Sequence, residues 1–197
     1  MENKTLNCNV YLLLGGGCCN GNVKDMLEAE IEARLDFRSI KKAKLLFVLF
    51  GKDEIDWEKT VIKYRDSIFL KLFREEKISV SIANRNRETL KKQLTNSDII
   101  FFCGGSELLL KEHLKEEIIP LHNKIIIGVS AGTNILSKYY FSNDRQSIEN
   151  GLGILPIKMI CHFTPEKISK VIALSSVGGS YPTFPIKENE YIVWEKK

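Results

Sequence analysis

Long apolar runs, clustered charge and signal-like features are all scarce in this sequence of 197 residues. No stretch approaches the ~18 apolar residues that a membrane-spanning helix needs, and the polar opening MENKTLNCN is unlike a signal peptide. The net charge is only +4, with both signs interspersed, whereas nucleic-acid-binding proteins usually carry a clustered basic face. We therefore expect a protein that binds neither nucleic acid nor membrane.

Cysteine and histidine are too few and too scattered for a metal site or a disulfide framework. The five cysteines include no pair with the spacing of zinc ligands, and the neighbours Cys18 and Cys19 cannot easily pair with each other. With only three histidines, no metal and no other cofactor is expected. An odd number of unpaired thiols is typical of a reducing compartment, so we expect a cytoplasmic location.

What the sequence does contain is a regular alternation of short apolar runs and longer amphipathic ones. Strands that are apolar throughout and alternate with helices indicate a parallel sheet covered on both faces. The length suits one core, so we predict a single doubly wound α/β domain over residues 1–197, with a mostly parallel sheet. The predicted strands are 10–14, 44–50, 78–83, 98–103 and 124–129, and the predicted helices are 23–35, 56–76, 87–94, 107–118 and 131–140.

The last third of the chain follows a different pattern. Residues 142–156 are rich in Asn, Asp and Gly and are expected to form a loop. A strand over 157–163 and a helix over 165–174 are predicted next. The segments YPTFPI and EYIVWE are expected to close the fold as a β-hairpin around KENE.

The segment GVSAG, residues 128–132, places Ser130 between a buried strand and a helix. In a G-x-S-x-G turn of this kind the serine side chain projects at the top of a sheet, beside the free N–H groups of the helix. The same pattern also fits an ordinary glycine-flanked helix cap. A second pair, Gly104 and Gly105, ends the preceding strand and would meet Ser130 at the same sheet edge. A serine hydrolase needs two backbone donors for the oxyanion, and Gly105 and Ala131 could supply them.

The general base is nearly fixed by the small number of histidines, whereas the orienting acid is harder to assign. His113 lies in a charged helical segment and His122 in a loop before a strand, whereas His162 follows a strand and is the best candidate for the base. The acid that would hold the imidazole could be Asp144, Glu149 or Glu166, and the spacing does not choose among them.

Four segments together resemble the serine peptidases of the peptidase E (aspartyl dipeptidase) and cyanophycinase family. They are CGGSELLL, IIIGVSAGTNIL, ND and GLGILPIKMICHFTPE, in this order, and the opening VYLLLGGG resembles the family's first strand and loop. The resemblance implies a fold similar to class I glutamine amidotransferases. It also implies cleavage of a dipeptide, or of a small peptide or amide bond, through an acyl-enzyme.

Carried onto this sequence, the resemblance gives Ser130 as nucleophile and His162 as base, with Gly105 and Ala131 forming the oxyanion hole. The dipeptidase branch would place the acid at Asp144 and the cyanophycinase branch at Glu149, and we rank Asp144 first. No metal is implied. We expect a small peptide substrate and a monomer or homodimer.

The resemblance is incomplete where the family holds its substrate. The dipeptidase branch carries an arginine after its histidine, implicated in binding the substrate's N-terminal aspartate, and none follows His162 here. We therefore expect that an N-terminal aspartate is not strongly required. The remaining cations that could replace the arginine are Arg85, Arg87, Lys138 and Arg145.

Two alternatives compete with the peptidase interpretation. An α/β-hydrolase esterase would also use G-x-S-x-G, but the chain after Ser130 is short for that fold. A non-catalytic relative that binds a small peptide or metabolite would explain the missing arginine. The run LLLGGGCCNGN lacks the spacing of a nucleotide-binding loop, so we interpret it as a wall of the active-site cleft or as a turn.

Overall fold

The computed structural model describes residues 8–19, 21–114 and 122–196. The strands are β1 (Asn9–Leu14), β2 (Ala43–Val48), β3 (Ile78–Ile82), β4 (Ile99–Phe102), β5 (Ile125–Val129), β6 (Tyr139–Ser142), β7 (Ser147–Asn150), β8 (Lys158–Ile160), β9 (Thr183–Pro185) and β10 (Tyr191–Lys196). The helices are α1 (Gly21–Phe37), α2 (Trp57–Ser67), α3 (Leu70–Arg74), α4 (Arg87–Asn96), α5 (Glu107–Leu114), α6 (Ala131–Leu136) and α7 (Ile168–Ser175).

Six strands form the main sheet, in the order β10-β1-β5-β4-β2-β3. Five of them are parallel, and β10 alone runs antiparallel, beside β1. In register, Leu14 at the end of β1 aligns with Val129 at the end of β5 and with Tyr191 at the start of β10. The start of β10 and the ends of β1 and β5 therefore lie at one edge of the sheet.

Helices cover both faces of this sheet, because its strands present apolar side chains to both. Leu12 and Leu14 face the side covered by α1, α2 and α3, whereas Tyr11 and Leu13 face the side covered by α4, α5 and α6. The predicted doubly wound, mostly parallel α/β fold is thus confirmed. Among the described helices, none combines the length and apolar character needed to cross a bilayer.

A second sheet, of four strands in the order β7-β6-β8-β9, was not expected from the sequence. The elbow helix α6 ends at Leu136, and β6 and β7 form an antiparallel pair across a turn at 143–146. The predicted loop over 142–156 therefore contains the end of β6 and the whole of β7. Tyr140 and Met159 of this sheet pack in the same core cluster as α6.

The predicted C-terminal β-hairpin is wrong. Strand β9 pairs parallel to β8 in the second sheet, while β10 pairs antiparallel to β1 in the main sheet. Residues 186–190 therefore cross from one sheet to the other instead of turning back within one.

Two predicted helices, 56–76 and 131–140, differ from the structure. The second ends as α6 at Leu136, and residues 139 and 140 belong to β6. The segment 56–76 breaks into α2 and α3, where Ser67 Oγ donates to the Lys63 carbonyl at 2.7 Å. The new start at α3 is capped from α1, because Glu28 Oε1 accepts from the backbone amides of Lys71 and Leu72. The helix predicted over 107–118 is seen as α5 up to Leu114, and its last residues lie outside the described part of the chain.

Candidate active site

Ser130 occupies a sharp turn between β5 and α6. Its backbone φ of 52° and ψ of −113° are unusual for a residue with a side chain, as a strained nucleophile turn requires. A Cβ on Gly132 would lie 2.1 Å from the Phe102 carbonyl oxygen, and one on Gly128 would lie 2.9 Å from the Thr133 backbone. The two flanking glycines are therefore needed for the close approach of β5 and α6 to each other and to β4.

His162 follows β8 and faces the serine. Ser130 Oγ and His162 Nε2 are 2.6 Å apart, within hydrogen-bond distance. The backbone of His162 is left-handed, with a φ of 53°, and its amide donates to the Gly15 carbonyl at 3.1 Å. The structure thus brings together the two residues that the sequence predicts as nucleophile and base.

The carboxylate at the other ring nitrogen belongs to Glu188, a residue that no sequence motif singled out. Glu188 Oε1 makes a short contact with His162 Nδ1. It lies in the segment that crosses from β9 to β10, and its neighbour Asn189 donates its amide to the Gly16 carbonyl at 3.0 Å. A strand that runs antiparallel to β1 begins at the carboxyl edge of the sheet. The pairing of β10 with β1 therefore places Glu188 at the site.

The three acids proposed from the sequence lie elsewhere. Asp144 is exposed in the turn between β6 and β7. Glu149 accepts from Ser147 Oγ at 2.8 Å and lies 3.6 Å from Arg145, and Glu166 is exposed in a 3₁₀ turn before α7. The geometry therefore favours Glu188 over all three as the partner of the histidine.

The predicted ND segment still contributes to the site, through the asparagine. Asn143 Nδ2 donates to the Cys161 carbonyl at 2.9 Å, and Asn143 Oδ1 accepts from Lys167 Nζ at 2.8 Å. Lys167 Nζ also donates to the His162 carbonyl at 2.6 Å. This network supports the segment that presents His162.

The glycine run after β1 lies against the imidazole and the carboxylate. A Cβ on Gly16 would be 2.5 Å from His162 Cε1 and 2.7 Å from Glu188 Oε2, and one on Gly17 would be 2.6 Å from the same carboxylate oxygen. Of the two interpretations of LLLGGGCCNGN, the wall of the cleft is therefore the one that the structure matches.

Of the two expected oxyanion donors, Ala131 directly follows the serine, and Gly105 lies in the loop after β4, next to Gly104. Ala131 is the first residue of α6, and its amide precedes the first intrahelical hydrogen bond, which Asn134 N donates to Ser130 O at 2.9 Å. The Gly105 amide makes no hydrogen bond within the described residues. Gly105 has a φ of +134°, and a Cβ there would lie 2.1 Å from the Gly51 carbonyl oxygen. Packing against Gly51 therefore requires glycine at position 105. A Cβ on Gly104, in contrast, would face Ser130 Oγ at 3.9 Å.

The thiols beneath the site are held in their neutral form. Burial raises the pKa of Cys161 and that of Cys103 above the ordinary value for a thiol. Cys161 Sγ lies 3.4 Å from the Ser130 carbonyl oxygen, behind the nucleophile. The hydroxyl of Ser130, with an imidazole and a carboxylate aligned behind it, is therefore the nucleophile that the arrangement supports.

In the part of the chain that the structure describes, no group of three or more His, Cys, Asp or Glu side chains is placed to hold a metal ion. The aligned serine, histidine and glutamate match what acyl transfer needs: a nucleophile, a base at its hydroxyl and an acid that orients the base.

Comparisons with known proteins concern the family and the fold of the chain. The model of a family described as Peptidase family S51 matches residues 11–197. The fold is similar to that of a peptidase from an acI-B1 Actinobacterium, with a TM-score of 0.66 and 18% identity over 95% of this chain and 84% of that one. It is also similar to a candidate peptidase E protein from Listeria monocytogenes EGD-e, with a TM-score of 0.61 and 18% identity over 96% of this chain and 98% of that one. A search of curated proteins found no match.

Proposed function

This chain belongs to peptidase family S51 and is a serine peptidase, and on that premise we propose that it cleaves dipeptides or other small peptides or amides through an acyl-enzyme on Ser130. The observation that carries the proposal is the 2.6 Å contact between Ser130 Oγ and His162 Nε2. Glu188 on the opposite ring nitrogen completes a Ser-His-Glu arrangement. Family membership favours this enzyme over a non-catalytic binding protein and over an α/β-hydrolase esterase.

Each group has a defined part in the proposed reaction. His162 Nε2 takes the proton of Ser130 as Oγ attacks the carbonyl carbon, and Glu188 stabilises the imidazolium that forms. The amides of Gly105 and Ala131 receive the developing oxyanion. His162 then protonates the leaving amine. It next removes a proton from the water that attacks the acyl ester, which releases the acid and restores Ser130.

The contacts of two of the four candidate cations support a substrate preference that does not depend on an N-terminal aspartate. Arg85 pairs with Glu54 at 2.8 Å, and Arg145 lies near Glu149. A further cation, Lys52, lies beside the oxyanion loop, with its Cγ 3.3 Å from the position of a Cβ on Gly105.

We expect kcat/KM for Asp-Leu, Asn-Leu and Ala-Leu to differ by less than about tenfold. A preference for Asp-Leu above about 10³-fold would contradict this, and Lys52→Gln would show whether Lys52 causes it.

The proposed hydrolysis is tested with a panel of dipeptides and aminoacyl amides and the variant Ser130→Ala. We expect measurable turnover of at least one substrate by the unmodified protein and a loss of about 10⁴-fold or more in the variant. Circular dichroism should show the same fold in both. Comparable turnover in a pure Ser130→Ala sample would refute the proposal.

A further inference from the structure

We infer that Glu107 is a positioning residue for the Ser130 site, a buried carboxylate that fixes the oxyanion loop against the nucleophile helix. The inference deepens the proposed function and rests on it. Glu107 is the first residue of α5, two residues after Gly105, and is 7% exposed.

One oxygen of the carboxylate joins the two segments that carry the oxyanion donors. Glu107 Oε1 accepts from Asn134 Nδ2 at 2.9 Å. Asn134 lies on α6, and its backbone amide donates to the Ser130 carbonyl at 2.9 Å. A shift of Glu107 would therefore move the loop containing Gly105 relative to the helix that begins at Ala131.

The other oxygen reaches the segment that supports the histidine. Glu107 Oε2 accepts from Ser142 Oγ at 3.0 Å. The next residue, Asn143, donates to the Cys161 carbonyl, directly before His162. A single carboxylate thus links the elements that carry the oxyanion donors, the nucleophile and the base.

Burying a carboxylate lowers the stability of the fold more than burying an apolar side chain of similar size. Burying a charge is costly unless the group is well hydrogen-bonded, and both partners of Glu107 are neutral. No ammonium or guanidinium group of the described residues pairs with it, and Asn134 Oδ1 is itself buried without a hydrogen-bond partner. An apolar side chain, like that of the buried Leu110, would serve packing alone. The two directed hydrogen bonds therefore point to a role in geometry.

The inference is tested with three variants on the same helix. Glu107→Leu removes both acceptors at similar volume, and Glu107→Gln can still accept from Asn134 and donate to Ser142. Glu112→Leu, at an exposed position of α5, is the control. The readouts are kcat and KM on the best peptide of the panel and the rate at which a fluorophosphonate modifies Ser130.

We expect Glu107→Leu to lower kcat by about 10- to 100-fold while KM changes by less than about threefold, because the lost geometry matters in the transition state. Phosphonylation should slow in parallel. Glu107→Gln should recover most of the rate, and Glu112→Leu should match the unmodified protein. An unchanged kcat in a folded Glu107→Leu variant would overturn the inference, as would a kcat loss that Glu107→Gln shares in full.

Ser142→Ala keeps the test valid if Glu107→Leu does not fold. It removes the donor to Glu107 Oε2, together with the oxygen that accepts from the Arg145 amide at 3.3 Å. We expect phosphonylation to slow by about threefold. An unchanged phosphonylation rate would overturn the inference. If the unmodified protein is neither active nor labelled, the proposed function fails and this inference fails with it. If the unmodified protein is labelled and the variants match it, only the inference about Glu107 fails.

Discussion

Ser130 and His162 both have backbone conformations that residues other than glycine rarely adopt, with φ values of 52° and 53°. Such conformations cost about 1–3 kcal/mol each and persist only where the surroundings enforce them. Here the Ser130 amide donates to the Leu14 carbonyl at 3.0 Å, and the His162 amide donates to the Gly15 carbonyl at 3.1 Å. The end of β1 therefore fixes both reacting side chains.

Single substitutions test the assignment of Glu188 as the acid partner of His162. Glu188→Gln should lower kcat by about 10²- to 10⁴-fold, because an amide neither stabilises the imidazolium nor enforces the required tautomer. Asp144→Asn should leave kcat within about twofold, since Asp144 is exposed in the β6–β7 turn. Steady-state kinetics on one dipeptide measure both. A larger loss in Asp144→Asn than in Glu188→Gln would contradict the assignment.

The loop 15–17 is an element whose contacts depend on the absence of side chains. Gly16 has a φ of +142°, and its missing Cβ leaves room for the His162 ring and the Glu188 carboxylate. The Gly16 carbonyl also accepts a hydrogen bond from the Asn189 amide. It therefore holds the histidine and the glutamate in register with each other.

Gly16→Ala should reduce kcat by at least about 10²-fold, because the new methyl group would displace the imidazole from Ser130. Gly179→Ala is the matched control. Gly179 also has a positive φ, +86°, but an added Cβ there meets nothing within 4 Å. The control should lose about 1 kcal/mol of stability from backbone strain and keep its kcat. Equal kcat in both variants, measured on the same dipeptide, would show that the loop does not position the histidine.

The main sheet and the turn at Ser130 could be predicted because their signals are local. Apolar strands such as 125–129 alternate with helices, and Gly128 and Gly132 mark the turn at Ser130. His162 could be selected because the chain has only three histidines and one of them ends a strand.

The second sheet and Glu188 could not be predicted by the same reasoning. Strands β6 to β9 have only three or four residues each, and the polar run at 142–146 is typical of a loop. The position of Glu188 depends on the pairing of Tyr191 with Leu14, a contact far apart in the chain. Sequence periodicity carries no information on such a pairing. If the last strand is assumed to pair antiparallel with β1, the acid just before that strand is expected at the carboxyl edge of the sheet.

At the scale of the whole fold, ion pairs of α1 connect this helix to α3 and to the start of β3. Glu32 contacts Lys71 Nζ of α3 and Lys77 Nζ before β3, both at 2.6 Å. These hydrogen bonds from two ammonium groups lower the pKa of Glu32 below its ordinary value. The stability that this carboxylate contributes is therefore complete above its unfolded-state pKa of about 4.3 and is lost as the pH falls through the lower folded-state value.

Thermal unfolding as a function of pH tests this contribution. Glu32→Gln should unfold at a lower Tm than the unmodified protein at pH 7, because the lysines lose their charged partner. The two Tm values should converge as the pH is lowered through the region below about 4. A Tm difference that is the same at pH 7 and at pH 3, or that grows on acidification, would contradict the role given to Glu32.

The most direct test of the proposed active site is intact-protein mass spectrometry after reaction with a fluorophosphonate. We predict one adduct per chain, located on Ser130 by peptide mapping, with slower labelling in Glu188→Gln and none in Ser130→Ala. His162→Ala should also remain unlabelled, because the hydroxyl then lacks its base. Absence of an adduct on the folded, unmodified protein, or equal labelling of Ser130→Ala, would contradict the assignment of Ser130 as the nucleophile.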